Sequence, residues 1–441
     1  MGPTGFPAAA TSWPPGLTAV SRRLRVRIRG ERTLGAFVLS IAAVNVTSLL
    51  GHALAFRWVD PTSMGVWHTL LLASAYLAIL RLGLVNGMGR ELPFALGSGE
   101  RERAGRIAAT SLAWNVVSSA LAGLTFVVLW AILWASGPAW RVALPAMAVV
   151  SASNFYLAYL QATFRSDSDF QRLSRVQWVQ AATGLFMPLL VWVFGFAGLV
   201  AHAASQAVVV TAYAHARRPL RIAPRFEPAV ARQLLATGLP LFLSGYLQTL
   251  AVGFDRVILL QRGTVTTLGY YAPAVAVLSA MAIVPGAISS YVYPRMSYAL
   301  GQGRTEDSVR RTALGAAAIS VAAGLPLAVA GWLTAPAVIS TFFPQYVASI
   351  PAVRWSLLSG LLWSASPATQ VLGSLKAWPR LAVYIALLLA TRWTFPWALS
   401  DVYEPLEGVA LGNLGAAAVT GASSLWLVRG AASPRAGGAA A

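Results

Sequence analysis

Twelve long apolar runs, separated by short charged or Pro/Gly-containing segments, constrain the fold of this 441-residue chain more than any other feature. A helix that crosses a membrane needs about 20 mostly apolar residues, and each run has roughly that length or more. The runs therefore predict an all-α integral membrane protein with about twelve transmembrane helices. The division at residues 195–198 is the weakest, because one long helix would also fit there. The predicted spans are residues 34–56, 64–88, 107–135, 142–164, 176–194, 198–216, 233–260, 268–293, 312–334, 347–372, 381–400 and 406–428.

The basic residues support this count and orient the chain. Cytoplasmic loops of membrane proteins carry an excess of Lys and Arg. With the N-terminus inside, 26 of the 33 basic residues lie on the cytoplasmic side, and three (Arg57, Arg141 and Arg262) lie outside. We therefore expect a multi-pass protein of the cell inner (plasma) membrane with both termini in the cytoplasm. The 11% of charged residues excludes an ordinary soluble enzyme. Basic residues scattered along so apolar a chain argue against a nucleic-acid partner.

An internal repeat divides the chain into two halves. Residues 64–109 match residues 268–313 at a constant offset of 204, including the loop sequence Ala-Leu-Gly-x-Gly at 95–99 and 299–303. Six spans per half place both halves in the same orientation, related by a pseudo-twofold axis along the membrane normal, as in transporters built from parallel repeats. The predicted organisation is a basic tail at 1–33, six-helix lobes at 34–216 and 233–428, a basic linker at 217–232 and a second tail at 429–441.

Several short motifs resemble a known family. Residues 240–303 contain Asp255-Arg256, Leu268-Gly269-Tyr270-Tyr271, Pro294 and Gly301-Gln302-Gly303, and the first half contains Met64-Gly65-Val66-Trp67, Leu82-Gly83-Leu84 and Arg90. In these motifs, in length and in span count, the chain resembles polysaccharide flippases of the Wzx type, in the multidrug/oligosaccharidyl-lipid/polysaccharide exporter (MOP) superfamily.

This resemblance implies translocation of a polyprenyl-pyrophosphate-linked oligosaccharide from the inner to the outer leaflet, for surface polysaccharide biosynthesis. It implies a transporter rather than an enzyme, with no cofactor and no metal. The expected partners are the lipid-linked oligosaccharide, anionic membrane lipid, and a polysaccharide polymerase or glycosyltransferases, and the expected state is a monomer. The related lipid II flippases usually have fourteen spans, so the twelve spans predicted here argue against membership of that group. The first half has no acidic residue within a span, unlike the drug-exporting branch.

Five charged residues fall within the predicted spans: Arg81, Asp255, Arg256, Arg354 and Arg392. A charge at mid-bilayer costs at least about 2.5–3.5 kcal/mol on insertion scales, so such residues tend to face a wet cavity. Arginine also offers the paired donors that a pyrophosphate needs. We predict all five as substrate-binding residues, with Arg392 foremost because it lies near mid-span beside Pro396, a potential helix break. The alternatives are an interfacial ion pair for Asp255 and Arg256, and snorkelling for Arg81 and Arg354.

Weaker signals and competing functions stay open at this point. A cation-coupled drug exporter would use Asp255 as its buried carboxylate, and a multispan glycan-modifying enzyme would need a large outside loop or catalytic acid. The Asp167-Ser168-Asp169 motif is expected to cap a helix or lie in a solvated loop. The basic run 22–32 is expected to set topology and attract anionic lipid; the alternative is that this run and 217–225 gather the anionic lipid-linked substrate at the cytoplasmic entrance. Sugar contacts are predicted for Asn45, Asn86, Asn154, Gln161, Trp178 and Tyr246, whereas His52, His68, His202 and His215 are predicted to be packed or interfacial.

Overall fold

The computed structural model describes residues 35–37, 39–301, 305–369, 371–372, 375 and 377–429, and it is almost entirely helical over them. The predicted tails at 1–33 and beyond residue 429, and the loop residues 302–304, lie outside the described residues. Short 3₁₀ turns cover Ala78–Arg81, Trp134–Ser136, Pro344–Ser349 and Ser366–Thr369. The α-helices are α1 (Gly35–Ala55), α2 (Pro61–Leu77), α3 (Leu84–Gly97), α4 (Arg101–Ile132), α5 (Pro138–Ser166), α6 (Phe170–Gly184), α7 (Met187–Ala216), α8 (Pro228–Arg262), α9 (Val265–Gly301), α10 (Glu306–Phe342), α11 (Ile350–Trp363), α12 (Trp378–Leu399) and α13 (Pro405–Arg429).

Ten helical segments of the described chain are long and apolar enough to cross a membrane. The predicted spans 176–194 and 347–372 are helical too, but they are interrupted. The first is divided between α6 and the start of α7, and the second between α11 and the 3₁₀ turns that flank it. Large apolar side chains such as Leu333 and Trp426 are each 71% exposed, as expected where lipid covers the surface. The all-α membrane fold predicted from the sequence is confirmed.

The chain changes direction sharply at residues 195–198, the division between the fifth and sixth predicted spans. Gly195 has φ 55° and ψ −130° inside α7, a conformation that glycine adopts without a side-chain clash. A Cβ on Gly198 would lie 1.9 Å from the carbonyl oxygen of Leu190, so the segments on either side of the kink are in close contact. The helical segments before and after Gly195 are therefore distinct, and this favours the predicted division between the fifth and sixth spans.

The two lobes meet at their repeated residues. The hydroxyls of Thr62 and Thr266, which are 204 residues apart, lie 3.0 Å from each other. One turn further along, a Cβ on Gly65 would lie 1.8 Å from the carbonyl oxygen of Val265, and a Cβ on Gly269 would lie 1.6 Å from that of Pro61. Each glycine thus receives the backbone of the opposite helix at the equivalent position. Helices α2 and α9 therefore cross at the pseudo-twofold axis.

A second inter-lobe contact reinforces this end of the molecule, which the topology predicts to be extracytoplasmic. Gln345 Nε2 donates to the carbonyl oxygens of Phe56 (2.8 Å) and Val59 (3.0 Å). The Tyr346 hydroxyl, which is fully buried, also donates to Val59 at 2.9 Å. The α10–α11 connection is thereby held against the α1–α2 connection. Together with the glycine crossing, this contact closes the outer end between the lobes.

At the opposite end, α3 packs directly on α8. A Cβ on Gly87 would lie 2.2 Å from the carbonyl oxygen of Leu234, so the two backbones are in contact there. Glu91 accepts hydrogen bonds from Gln233 (3.2 Å) and Thr237 (3.4 Å) of α8. Helix α8 begins at Pro228, inside the predicted linker 217–232, because proline is favoured in the first turn of a helix.

Candidate binding site

A buried polar network lies within the second lobe, where α8, α9, α12 and α13 meet. Asp255 of α8 is 3% exposed, and its Oδ2 accepts from the Tyr271 hydroxyl at 3.1 Å and from Asn413 Nδ2 at 3.3 Å. Its Oδ1 accepts from the backbone N–H of Arg256 at 2.7 Å. Asn413 also donates to the Tyr271 hydroxyl at 2.9 Å. The carboxylate of Asp255 thus has three donors besides any arginine side chain.

Arg392 joins this network through Asn413. Its guanidinium donates to Asn413 Oδ1 at 3.0 Å and lies over the Trp363 ring, 4.9 Å from the centroid. The residue is 5% exposed, and its Nε is buried without a hydrogen-bond partner among the described residues. Asn413 therefore bridges a buried carboxylate and a buried guanidinium. A buried donor without a partner is costly, so the site has unused capacity to bind an acceptor.

Arg256 and Arg392 line one cavity. This space, here called the arginine cavity, has a volume of about 210 Å³ and is bounded by α8, α9, α11 and α12. Asp255 and Ser279 also line it. Arg256 lies 4.0 Å from Asp255 Oδ1, measured from its Nε, and the side chain is 19% exposed. Two cationic groups therefore border one small space inside the membrane region.

A second space, the polar cavity, adjoins the arginine cavity at Arg256, Val275 and Ser279, which line both. It has a volume of about 280 Å³ and lies between α1, α2, α8 and α9, so both lobes contribute to it. Its lining begins at His68 and Ala272, about one turn inward from the crossing glycines Gly65 and Gly269. The polar side chains that line it are Asn45, Ser48, His52, His68, Arg256 and Ser279.

A third space, the apolar groove, lies on the other side of α1 and α9. Its volume is about 290 Å³, and its lining comes from α1, α9, α10 and α11. Thr334 is the one polar residue among the described residues that line it. Leu327 and Val338 in this lining are 48% and 40% exposed. The groove is therefore not sealed from the surface of the helix bundle.

Comparison with known proteins identifies the family. The sequence model of the family described as "Polysaccharide biosynthesis protein" matches residues 105–351, which is more than half of the chain. The chain belongs to this family. No curated protein matches the sequence. The superfamily predicted from the sequence motifs is confirmed by this match and by the likeness of the fold to solved structures.

The fold of this polysaccharide biosynthesis protein is that of MATE transporters. An inward-facing multidrug resistance MATE family transporter of the MOP superfamily superposes with a TM-score of 0.74, at 16% identity over 89% of this chain and 97% of the other. The outward-facing conformation of such a transporter superposes with a TM-score of 0.62 at 16% identity, covering 89% of this chain and 93% of the other. A MATE protein in its straight conformation superposes with a TM-score of 0.60 at 17% identity, covering 89% of this chain and 95% of the other.

The structure brings three of the five predicted charged residues together and holds the other two elsewhere. Arg81 lies 4.3 Å above the Phe155 ring in the first lobe. Arg354 Nε donates to the Trp332 carbonyl oxygen at 3.3 Å, and its guanidinium lies 5.3 Å from the Trp332 ring. Neither lines the three cavities described above. Asp255, Arg256 and Arg392, by contrast, share the arginine cavity.

The smaller predictions have mixed outcomes. Asn45 lines the polar cavity, whereas the Tyr246 hydroxyl donates to the Tyr76 carbonyl oxygen at 2.8 Å. Asp169 caps α6 by accepting from the Arg172 N–H at 3.0 Å, as expected. The expected break at Pro396 is wrong: α12 continues through it to Leu399. The remaining sugar candidates lie outside the linings of the three cavities: Asn86, Asn154, Gln161 and Trp178.

Sequence reasoning missed the neutral members of the site. Tyr271 and Asn413 complete the network around Asp255, and His52 and His68 line the polar cavity rather than lying in packed or interfacial positions alone. Tyr271 lies within a family-like motif, which was the one available signal. Nothing in the local sequence distinguishes Asn413 from other polar residues on apolar helices.

Proposed function

We propose that this protein is a flippase that moves a polyprenyl-pyrophosphate-linked oligosaccharide from the inner to the outer leaflet by alternating access. Membership of a polysaccharide biosynthesis family and the two-lobed transporter fold support this proposal. The proposed setting is the cell inner membrane with both termini cytoplasmic, consistent with the asymmetry of basic residues. A polymerase or glycosyltransferases on either side of the membrane would be its partners, and the protein would act as a monomer among anionic lipids.

The observation that carries the proposal is the convergence of Arg256 and Arg392 on the arginine cavity. A pyrophosphate crossing a medium of low dielectric constant needs cationic donors along its path. Guanidinium groups bind phosphate oxygens with two parallel hydrogen bonds and remain charged when partly buried. We assign the pyrophosphate contact to Arg256 and Arg392, and we give Arg81 and Arg354 supporting roles because each rests on an aromatic ring.

The closed outer end supports loading from the inner leaflet. The α2–α9 crossing and the bonds from Gln345 and Tyr346 lie between the cavities and the predicted extracytoplasmic face. The TM-score is also higher for the inward-facing MATE conformation than for the outward-facing one. A substrate assembled in the cytoplasm would then enter while the outer end is closed.

The decisive experiment is removal of the protein followed by separate measurement of lipid-linked glycan in each leaflet. We expect the glycan to accumulate in the inner leaflet and surface polysaccharide to be lost. Export should return with the wild-type chain and with Arg172→Gln, a control that removes a half-exposed arginine on the inner side. Arg392→Gln, expressed at the same level, should fail to restore export. Unchanged leaflet distribution after removal would contradict the proposed function.

A second function is favoured by one observation, the buried carboxylate of Asp255. A cation-coupled exporter requires such a group, and Asp255 is surrounded by the donors of Tyr271 and Asn413. Vesicles containing the protein would then show dye efflux driven by a proton or sodium gradient. Loss of that efflux in Asp255→Asn would establish this alternative, and absence of efflux in the wild type would remove it.

A further inference from the structure

A fourth cavity lies in the first lobe between α6 and α7, and it shares no lining residue with the three cavities beside α9. Its volume is about 260 Å³, and residues on both sides of the bend at Gly195 line it. We propose that this space, here called the bend pocket, binds the hydroxyl group of an uncharged long-chain alcohol dissolved in the membrane. The inference does not depend on the proposed function. The polar residues that line the pocket are Thr183, His202, Ser205 and Gln206.

The break between α6 and α7 occupies the hydrogen-bond donors of this lining. A carbonyl oxygen has two lone pairs, so those in the last turns of α6 can accept from side chains of α7. His202 Nε2 lies 3.0 Å from the Thr183 carbonyl oxygen. Gln206 Nε2 donates to the Gln180 carbonyl oxygen at 3.0 Å and to the Thr183 hydroxyl at 3.2 Å. The end of α6 therefore explains where these donors point.

The same bonds leave the lining of the pocket rich in acceptors. Because a carbonyl oxygen only accepts, His202 Nε2 carries the proton, and Nδ1 of the neutral ring is an acceptor. Both hydrogens of Gln206 Nε2 are used, so Oε1 is the free end of that amide. Neither atom receives a hydrogen bond from the described residues, although His202 is only 6% exposed. Ser205 adds an acceptor, since its hydroxyl hydrogen goes to the His202 carbonyl oxygen at 3.0 Å.

A ligand that fits this lining must donate a hydrogen bond and carry no charge. No acidic residue lines the pocket in the described part of the chain, so a protonated amine would be buried without a counter-charge, at a high cost. The same absence keeps the His202 ring neutral. A phosphate would present acceptors to a lining that itself presents acceptors. An alcohol donates one hydrogen bond and remains neutral.

The depth of the pocket favours a single chain over a phospholipid. The lining residues lie five to twelve positions before Gly195 and seven to fourteen after it. With a rise of about 1.5 Å per residue, they lie roughly 8–21 Å from a bend that the topology places at the outer surface. Phospholipid headgroups stay outside the hydrocarbon region. The apolar lining residues are Phe186, Leu189, Leu190 and Val209.

The pocket is open to the surface of the helix bundle on its apolar side. Phe186 is 60% exposed and Leu189 is 53% exposed. The hydrocarbon chain of a bound alcohol can therefore extend past these residues into the bilayer, while its hydroxyl group reaches the acceptors of His202 and Gln206.

Photolabelling with matched probes tests the hydrogen bond. The full-length protein in phosphatidylcholine nanodiscs would be irradiated with a hexadecanol that carries a diazirine near its hydroxyl group, or with the methyl ether or the amine of the same chain. We expect the alcohol to label segments 183–190 and 202–209 about fivefold more than the ether, the usual effect of one hydrogen bond. Equal labelling by alcohol and ether, or stronger labelling by the amine, would overturn the inference.

Variants of the lining separate binding from a structural effect. In Gln206→Met, labelling by the alcohol should fall to the level of the ether, while labelling by the ether stays the same. An equal proportional loss for both probes would instead show that Gln206 acts only on the fold and would contradict the contact.

A matched pair of tryptophan variants tests the pocket as a space. Leu189→Trp places a large ring in the lining and should abolish labelling by the alcohol. Val193→Trp lies about one turn further along α7, outside the lining and 55% exposed, and should leave labelling unchanged. Equal labelling of the two variants would overturn the inference. Arg392→Gln, which alters the arginine cavity, should label like the wild type, so this result is separate from the outcome of the export experiment.

Competition identifies the source of the hydroxyl group. Oleyl alcohol and dioleoylglycerol each carry one hydroxyl group, but the ester groups of dioleoylglycerol hold its hydroxyl near the headgroups. We expect oleyl alcohol to compete with the probe and dioleoylglycerol to compete weakly. Competition by neither compound would overturn the inference.

Discussion

Asn413 occupies the central position in the buried network of the second lobe. Its amide nitrogen donates to Asp255 and Tyr271, and its amide oxygen accepts from Arg392. A carboxylate at position 413 could accept from Arg392 but could not donate to Asp255. An amine at this position could donate to Asp255 but could not accept from Arg392. The amide is thus the side chain that can connect an anion and a cation without adding charge of its own.

We expect Asn413→Leu to lower both stability and export. The change removes one of the three donors to Asp255 and the side-chain acceptor of the Arg392 guanidinium, and an unpaired buried polar group costs about 1–3 kcal/mol. Thermal unfolding in detergent and surface polysaccharide in cells would measure the two effects. Thr420→Ala is the control, because Thr420 lies two turns along the same helix and bonds only to that helix. Equal unfolding temperatures for the two variants would contradict the bridging role.

The charged members of this site could be found in the sequence, and the neutral members could not. Asp255, Arg256 and Arg392 stand out because ionised groups are costly in apolar spans. Arg81 and Arg354 carry the same signal, but their aromatic neighbours Phe155 and Trp332 come from other helices. The packing of the helices decides whether an arginine lines a cavity or lies over an aromatic ring. The local sequence does not contain this information.

At the scale of helices, the two repeats differ in their second span. The first lobe breaks this span between α2 and α3, where Leu82 has φ 49° and Gly83 has φ 83°. In the second lobe α9 continues without interruption from Val265 to Gly301. Hydropathy placed a span in each repeat because a segment that crosses lipid must be apolar, but the predicted span 64–88 runs across the break at Leu82 and Gly83. It could not show the break, which depends on a positive φ and on contact with α8.

Gly83→Ala should destabilise the protein, while Gly89→Ala should not. An alanine at position 83 would have a left-handed backbone, which costs about 1–2 kcal/mol, and its Cβ would lie 2.8 Å from the Gly238 carbonyl oxygen. Gly89 lies within the same α3, and a Cβ there meets nothing within 4 Å. Its replacement should raise stability by about 0.5–1 kcal/mol, since glycine is unfavourable inside a helix. Unfolding temperatures that shift in the same direction would contradict this account.

At the scale of the whole molecule, the absence of cysteine allows the proposed orientation to be tested with single thiols. Ser98 follows α3 on the predicted inner side, and Ser136 lies in the α4–α5 connection on the predicted outer side; both are exposed. In intact cells a membrane-impermeant maleimide should label Ser136→Cys and not Ser98→Cys. Both should react after the membrane is opened. The opposite pattern would reverse the predicted topology.

Alternating access requires the closed outer end to open during each cycle. Thr62 and Thr266 lie at this closure with their hydroxyls 3.0 Å apart, so cysteines at both positions are near the separation that a disulfide needs. Oxidation of Thr62→Cys/Thr266→Cys should join the two lobes. A protease site placed in the 217–227 connector would then reveal the bond, as halves that separate on a gel only after reduction.

The oxidised double variant should lose export, and a reductant should restore it within the same cells. The physical reason is that the disulfide fixes α2 against α9, so the lobes cannot separate at the face where the glycan must leave. Thr62→Cys alone, treated with the same oxidant, controls for damage to other proteins and should export normally. If a fully cross-linked protein exported at the wild-type rate, the substrate would have to leave without opening the α2–α9 crossing, and separation of the two lobes at this face would be excluded as a step of the cycle.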